Sequence, residues 1–180
     1  MGKFYERLDA PLTEFIQQQH MFFVGSASGN SSVNISPKGL DAFRILDDAT
    51  VAYLDVTGSG NETSAHIEQG GNMTVMFCAF EGRPKIVRLY GKGEVVRPRD
   101  ARWGELFAHF TEIPGTRQII VVHIARVQTS CGMAVPLYDY VGQRDELVTW
   151  AEKKGADGLE TYWRDRNQQS IDGLPTHLLE

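Results

Sequence analysis

The run RQIIVVHIARVQTSC, residues 117–131, constrains the fold more than any other stretch. It is the longest β-like segment, and its centre is apolar on both faces, as expected of a strand buried on two sides. Shorter β-like runs precede it: MFFVGSAS, SSVNISPKG, TVAYLDV, NMTVMFCAF and KIVRLYGKGEVV. Gly29-Asn30 and the group Glu81-Gly82-Arg83-Pro84 read as hairpin connections between them. Helical spacing enters only at intervals. Pro11 begins one amphipathic turn with Leu12, Phe15 and Ile16, and Pro98 begins a helix through Phe110 that carries Trp103, Leu106 and Phe107. From Asp145 the stripe Leu147, Val148, Trp150 and Ala151 is helical, Gly155 punctuates it, and a second helix follows from about Ala156 to Gln168. Hairpin-linked strands with occasional helices predict a mainly β (α+β) chain closed into an antiparallel barrel.

Composition narrows the function. A chain of 180 residues with 42% apolar and 23% charged residues is an ordinary globular chain, sized for one compact domain. A net charge of −5 argues against nucleic acid as a partner, and no apolar run approaches the roughly 20 residues of a membrane span. The charged start, MGKFYER, lacks the apolar centre of a secretory signal, so a cytoplasmic location is expected. Cys78 and Cys131 then read as buried, reduced thiols. His20, His66, His109 and His177 show no metal-ligand spacing, and no metal is expected; His123, inside the apolar run, reads as a hydrogen-bonded core histidine.

The stretch DVTGSGNETSAHI joins a strand to a short helix that Asn61 can cap and that stops at Gly70-Gly71. It lacks the lysine of a P-loop, and Thr63 stands where a dinucleotide fingerprint requires its third glycine. Two readings remain for this turn alone: a single phosphate docked on the helix start, with Asn61 and Thr63 as added donors, or a loop that only reverses the chain. Glu62 would repel an anion unless its carboxylate points away. Upstream, SSVNISPKG alternates so that Asn34, Ser36 and Lys38 share one face, a plausible wall for an anionic ligand. Lys38, after proline in a turn, reads first as a solvated lysine, whereas Arg88 reads equally as the partner of a neighbouring carboxylate.

VNISPKG, GSGNETSAHI and RLYGKGEVV, in that order over roughly residues 10 to 130, resemble the pyridoxamine 5′-phosphate oxidase-like family of FMN-binding split barrels. The tail segments TSCGMAVPLYDYVGQRDEL and NQQSIDGLP resemble an uncharacterised bacterial branch of it. The resemblance implies a six-stranded antiparallel split β-barrel with peripheral helices over residues 1–140, and a helical extension over 141–180 packed on the same domain. It implies a homodimer with FMN at the subunit interface. Ser36 and Lys38 would supply strand contacts to the flavin phosphate; Gly60, Asn61, Glu62 and Thr63 would supply loop contacts; Arg88 would neutralise phosphate or meet the polar edge of the flavin.

Two departures matter. The serine-arginine-lysine run of the oxidase itself is replaced by Glu62, Thr63 and Ser64, or by the three residues one position earlier, and SIDGLPTHLLE holds no Arg-x-His pair for a vitamin B6 phosphate. The expectation is therefore an FMN-dependent oxidoreductase acting with a small-molecule substrate or electron donor, not on pyridoxamine 5′-phosphate. No catalytic side chain is assigned, since the flavin takes the hydride. The alternative is a non-catalytic module that binds or senses flavin, deazaflavin or haem. Cys131 reads as an inert thiol rather than a redox partner.

Overall fold

The computed structural model describes residues 2–180. In chain order its elements are β1 (Lys3–Tyr5), α1 (Ala10–Gln17), β2 (Phe22–Ala27), β3 (Asn34–Lys38), β4 (Phe43–Ile45), β5 (Thr50–Val56), α2 (Glu62–Glu68), β6 (Asn72–Cys78), β7 (Ile86–Val96), α3 (Trp103–Phe107), β8 (Thr116–Ser130) and α4 (Glu146–Arg166). Every strand pair is antiparallel, in the order β3-β2-β6-β7-β8-β5-β4. The 15-residue β8 is the spine. It pairs with β7 along one edge, and with β5 and then β1 along the other.

The sheet curls. β2 and β5 are four steps apart in strand order, about 19 Å in a flat sheet. Yet the rings of Phe22 and Tyr53 lie 5.6 Å apart, and that of Phe22 lies 5.0 Å from Phe43 of β4. Inside the curl sit Val24, Val51, Met73, Val75, Phe77, Val87, Leu89, Ile120, Val122 and Val127, stoppered by Leu12 and Ile16 of α1. Ala52, Leu54, Ile119 and Val121 point the other way, into a second cluster with Leu106 of α3 and Val148 of α4. Two-sided burial of β5 and β8 explains why their centres are apolar without alternation.

The mainly β, antiparallel class agrees with the sequence expectation, with eight strands rather than six. The extra two, β1 and β4, have three residues each, too few to leave a two-residue periodicity. α1 starts as read: Asp9 caps it, its carboxylate accepting from the Leu12 amide at 2.9 Å, with proline at the first turn. α3 is shorter than the helix read from Pro98. The Arg97 amide donates to Asp100 Oδ2 at 2.7 Å, and this turn delays the helix to Trp103. Gly155, at φ 65°, breaks α4 where the sequence placed a boundary. The second half of α4 lies on the barrel, the Trp163 indole N–H donating to Thr57 Oγ1 at 2.8 Å.

His123 is not a core histidine. It shares the face of Ile119 and Val121, but β7 offers it Lys92 and Glu94 rather than apolar cover. Its side chain is 54% exposed, with Nε2 3.2 Å from Glu94 Oε2. Cys78 is buried as expected; Cys131 is exposed, beyond the last residue of β8.

The β7–β8 register slips between Tyr90 and Gly91, a bulge that bends the longest hairpin. A Cβ on Gly91 would fall 2.0 Å from the His123 carbonyl oxygen. Gly91→Ala is therefore expected to cost about 1–3 kcal/mol in urea unfolding. An unchanged midpoint would show that the bulge needs no glycine.

Candidate functional site

A single acid organises one corner of the barrel. Asp55, near the end of β5, is 2% exposed. Its Oδ1 accepts from Lys38 Nζ at 2.9 Å; its Oδ2 accepts from Arg117 Nε at 2.9 Å and from Gln118 Nε2 at 2.8 Å. Burial pushes the carboxyl up, but the Arg117 guanidinium and the Lys38 ammonium outweigh it and hold Asp55 well below the usual carboxylate range. The network runs on: Gln118 Nε2 also donates to Asn61 Oδ1 at 2.8 Å, and Arg117 Nη1 to Asn167 Oδ1 at 2.8 Å. Sequence reading passed over Asp55, Arg117 and Gln118. The available signal was chemical: an acid inside TVAYLDV, and an Arg-Gln pair at the head of an apolar run, each require partners once buried.

The polar face of β3 points inward at this corner. Ser36 and Lys38 pair with Val24 and Phe22 of β2, whose side chains are in the core, while Ile35 on the opposite face is 69% exposed. Ser36 Oγ donates to Asn34 Oδ1 at 3.3 Å, and Asn34 Nδ2 donates to Thr63 Oγ1 at 3.2 Å. Ser26 Oγ donates to the same Thr63 oxygen at 3.4 Å and lies 3.0 Å from His66 Nδ1. Thr63 Oγ1 is thus held by Asn34 and Ser26, and it faces the Tyr53 hydroxyl. Lys38 is not solvated: its side chain is 17% exposed, and Nζ lies 5.8 Å from the Tyr53 ring centroid as well as on Asp55.

Asn61 occupies the cap position of α2 without capping it, because its side-chain oxygen is held by Gln118. The Glu62 carboxylate turns away from the corner and accepts from the Ile171 amide at 3.1 Å. Gly60 sits beside it; a Cβ there would lie 2.9 Å from Glu62 Oε1. Ser36, Lys38, Gly60, Asn61, Glu62 and Thr63 are therefore gathered around one corner. Arg88 is not. Its row across the sheet runs through Met76 and Phe23 to Pro37, on the outward face. It donates to Ser130 Oγ at 3.0 Å and pairs with no carboxylate among the described residues.

Three buried side-chain atoms at the corner have no hydrogen-bond partner: the Asn61 Nδ2 donor, the Tyr53 hydroxyl and one acceptor, Gln118 Oε1. Unmet donors beside a cation fit an oxyanion better than a plain turn. A cavity of about 940 Å³ borders Lys38, between residues 37–40, 80–82 and the segment 138–144; none of residues 60–63 lines it. Its rim carries the stacked rings of His20 and Tyr140, with centroids 3.6 Å apart. Among the described residues no three His, Cys, Asp or Glu side chains converge as metal ligands, and no helix is long and apolar enough to cross a membrane.

Comparison with known proteins gives a consistent picture. Residues 8–131 match the profile of the pyridoxamine 5′-phosphate oxidase family. A protein of Aspergillus flavus, described as pyridoxamine 5′-phosphate oxidase family protein ustO, is 37% identical over 97% of this chain and 78% of its own length. That fungal relative spans the tail too, so the tail is not peculiar to bacteria. Among solved structures, a provisional pyridoxamine 5′-phosphate oxidase from Lactobacillus delbrueckii aligns with TM-score 0.55 and 18% identity over 68% of this chain and 94% of its own. The FAD binding protein from Mycobacterium smegmatis aligns with TM-score 0.50 and 13% identity over 69% of this chain and 96% of its own. The fold is the antiparallel split barrel of these neighbours.

Asp55→Asn leaves two buried cations without a counter-charge and is expected to cost roughly 3–5 kcal/mol. The acid limb follows in sign. Because the folded carboxyl titrates below its unfolded value of about 3.9, its contribution is complete above about pH 5 and drains away as pH falls through 4 toward the folded value. Urea midpoints of the wild type should therefore fall steeply from pH 5 to 3. Those of Asp55→Asn should start lower and fall less, and parallel curves would remove Asp55 from the acid response.

Proposed function

The chain belongs to the pyridoxamine 5′-phosphate oxidase family, and from that premise we propose that it is an FMN-binding flavoprotein working as an FMN-dependent oxidoreductase. The observation that carries this reading is the corner where Lys38, Thr63 and the unmet donors of Asn61 and Tyr53 converge. A phosphate monoester brings a charge of about −1.5 to −2 and three acceptor oxygens, which is what such a corner lacks. The fit rests on neutral donors more than on cations, because Lys38 is already shared with Asp55.

Ser36, Lys38, Gly60, Asn61 and Thr63 would hold the phosphate, and Glu62, tied to Ile171, would keep its charge clear of it. The 940 Å³ cavity beside Lys38 falls within the size range of cofactor pockets. Arg88, on the opposite face of the sheet, would serve the site of a second copy if the chain pairs as a homodimer with shared sites. The flavin-binding neighbour from Mycobacterium smegmatis supports the choice of a flavin over another anionic ligand.

A bound flavin supplies hydride acceptance and its onward transfer. The chain's own part is to grip, orient and shield. Asp55 fixes the Lys38 ammonium in place, Asn34 and Ser26 fix the Thr63 hydroxyl, and the aromatic rim beside Lys38 limits water. Pyridoxamine 5′-phosphate is not the proposed substrate, since residues 170–180 contain no Arg-x-His pair.

The purified protein is expected to show bands near ~370 and ~450 nm, whereas a Soret band would replace the flavin reading by haem. Thr63→Ala should weaken FMN binding by roughly 1–3 kcal/mol, read by fluorescence titration. An unaltered Kd would take Thr63 out of the site. Stopped-flow mixing with NADH or NADPH then separates an enzyme, whose bound FMN is reduced, from a passive carrier.

A further inference from the structure

We infer that the chain has a second oxyanion site, on the far side of Arg117 from Asp55. There a cavity of about 570 Å³ is enclosed by the exit of β7 (Pro98, Arg99), the start of β8 (Arg117), the second half of α4 (Trp163, Arg164) and the last residues of the chain. It lies apart from the flavin corner: none of residues 36, 38 or 60–63 lines it.

Arg117 is the central observation. Its side chain is 4% exposed, and Nε and Nη1 are committed to Asp55 and Asn167. Its remaining terminal nitrogen, Nη2, has no hydrogen-bond partner among the described residues, yet it is not among the sealed, unmet buried atoms. Arg117 lines the cavity, and its free N–H edge is the group we assign to the ligand there. A guanidinium held rigidly on two sides and left open on a third is pre-organised for an oxyanion.

Arg99 adds a charge with no carboxylate partner among the described residues. Its Nη1 donates to the Leu178 carbonyl at 2.8 Å and its Nη2 to the His177 carbonyl at 2.6 Å, both neutral acceptors. Those bonds aim the guanidinium without cancelling it. Arg164 contributes a third cation, partly offset by Glu160 at 2.5 Å. The other acid on the wall, Glu180, leans on His177 Nδ1 at 2.5 Å. The balance facing the cavity therefore favours an anion, and the side chains of Pro98, Trp163 and Leu178 give it an apolar flank. The ligand class is a small organic oxyanion bearing phosphate or carboxylate.

Isothermal titration of the full chain with inorganic phosphate, and separately with succinate, tests this. Saturable binding of at least one is expected, and which one binds tells phosphate from dicarboxylate. Arg99→Gln and Arg164→Gln should each weaken it about tenfold, the loss of one charge-assisted contact. Thr63→Ala, in the flavin corner, should leave it unchanged. If Thr63→Ala abolishes binding while Arg99→Gln does not, the anion sits in the flavin corner and the second site is wrong. If neither anion saturates, the second site is likewise wrong, whatever the absorption spectrum says of the flavin.

Discussion

The buried carboxylate of Asp55 joins two parts of the sheet that no backbone ladder connects. β3 ends one side of the strand order and β5 lies one strand from the other, yet Lys38 and Asp55 meet at 2.9 Å. The curl is closed at this corner by charge rather than by hydrogen-bonded strands. Such closure is demanding, because two cations and an anion leave water together, and it holds only if every remaining donor and acceptor is met. Gln118, Asn61 and Asn167 meet most of them. Those left unmet, Asn61 Nδ2, Gln118 Oε1 and the Tyr53 hydroxyl, belong to the residues of the proposed phosphate grip and its support.

Closure and the proposed phosphate binding thus draw on the same groups. A lysine free in solvent samples many positions and loses that freedom when it grips a ligand. Lys38 has already lost it to Asp55, so its ammonium waits where the fold put it. The Thr63 hydroxyl is likewise oriented beforehand by Asn34 and Ser26. The tail takes part as well: Glu62 is turned aside by the Ile171 amide, and Ser64 Oγ donates to the Thr176 carbonyl at 3.2 Å. Residues 170–176 therefore set how the start of α2 presents itself.

Much of this was legible beforehand where periodicity decides it. The shared face of Asn34, Ser36 and Lys38 followed from a two-residue repeat, and the two-sided burial of β8 from unbroken apolarity. Electrostatics set the condition on Glu62, that its carboxylate must point away from any anion, but not the Ile171 amide that holds it there. What could not be read was anything set by register between distant strands. Nothing local says that Asp55 lies beside Gln118, or that Arg88 lies on the face opposite Lys38, because each depends on which strands pair and in what register. His123 was misjudged for the same reason: its neighbours in sequence are apolar, but its neighbours in space are Lys92 and Glu94. The helix expected from Pro98 was shortened by a side-chain bond, Asp100 to the Arg97 amide, that competes with helical pairing.

The separations within the Asp55 network carry a consequence for how the chain is made. Its partners lie 17 residues upstream, at Lys38, and 62 residues downstream, at Arg117. A ribosome delivers β5 well before β8, at about 5–20 residues per second. Throughout that interval the acid has only half its counter-charge, and sealing it in apolar surroundings is unfavourable. The nascent barrel is thereby kept open until its spine strand arrives, and premature collapse around an incomplete sheet is discouraged by the same charge that later locks the finished one.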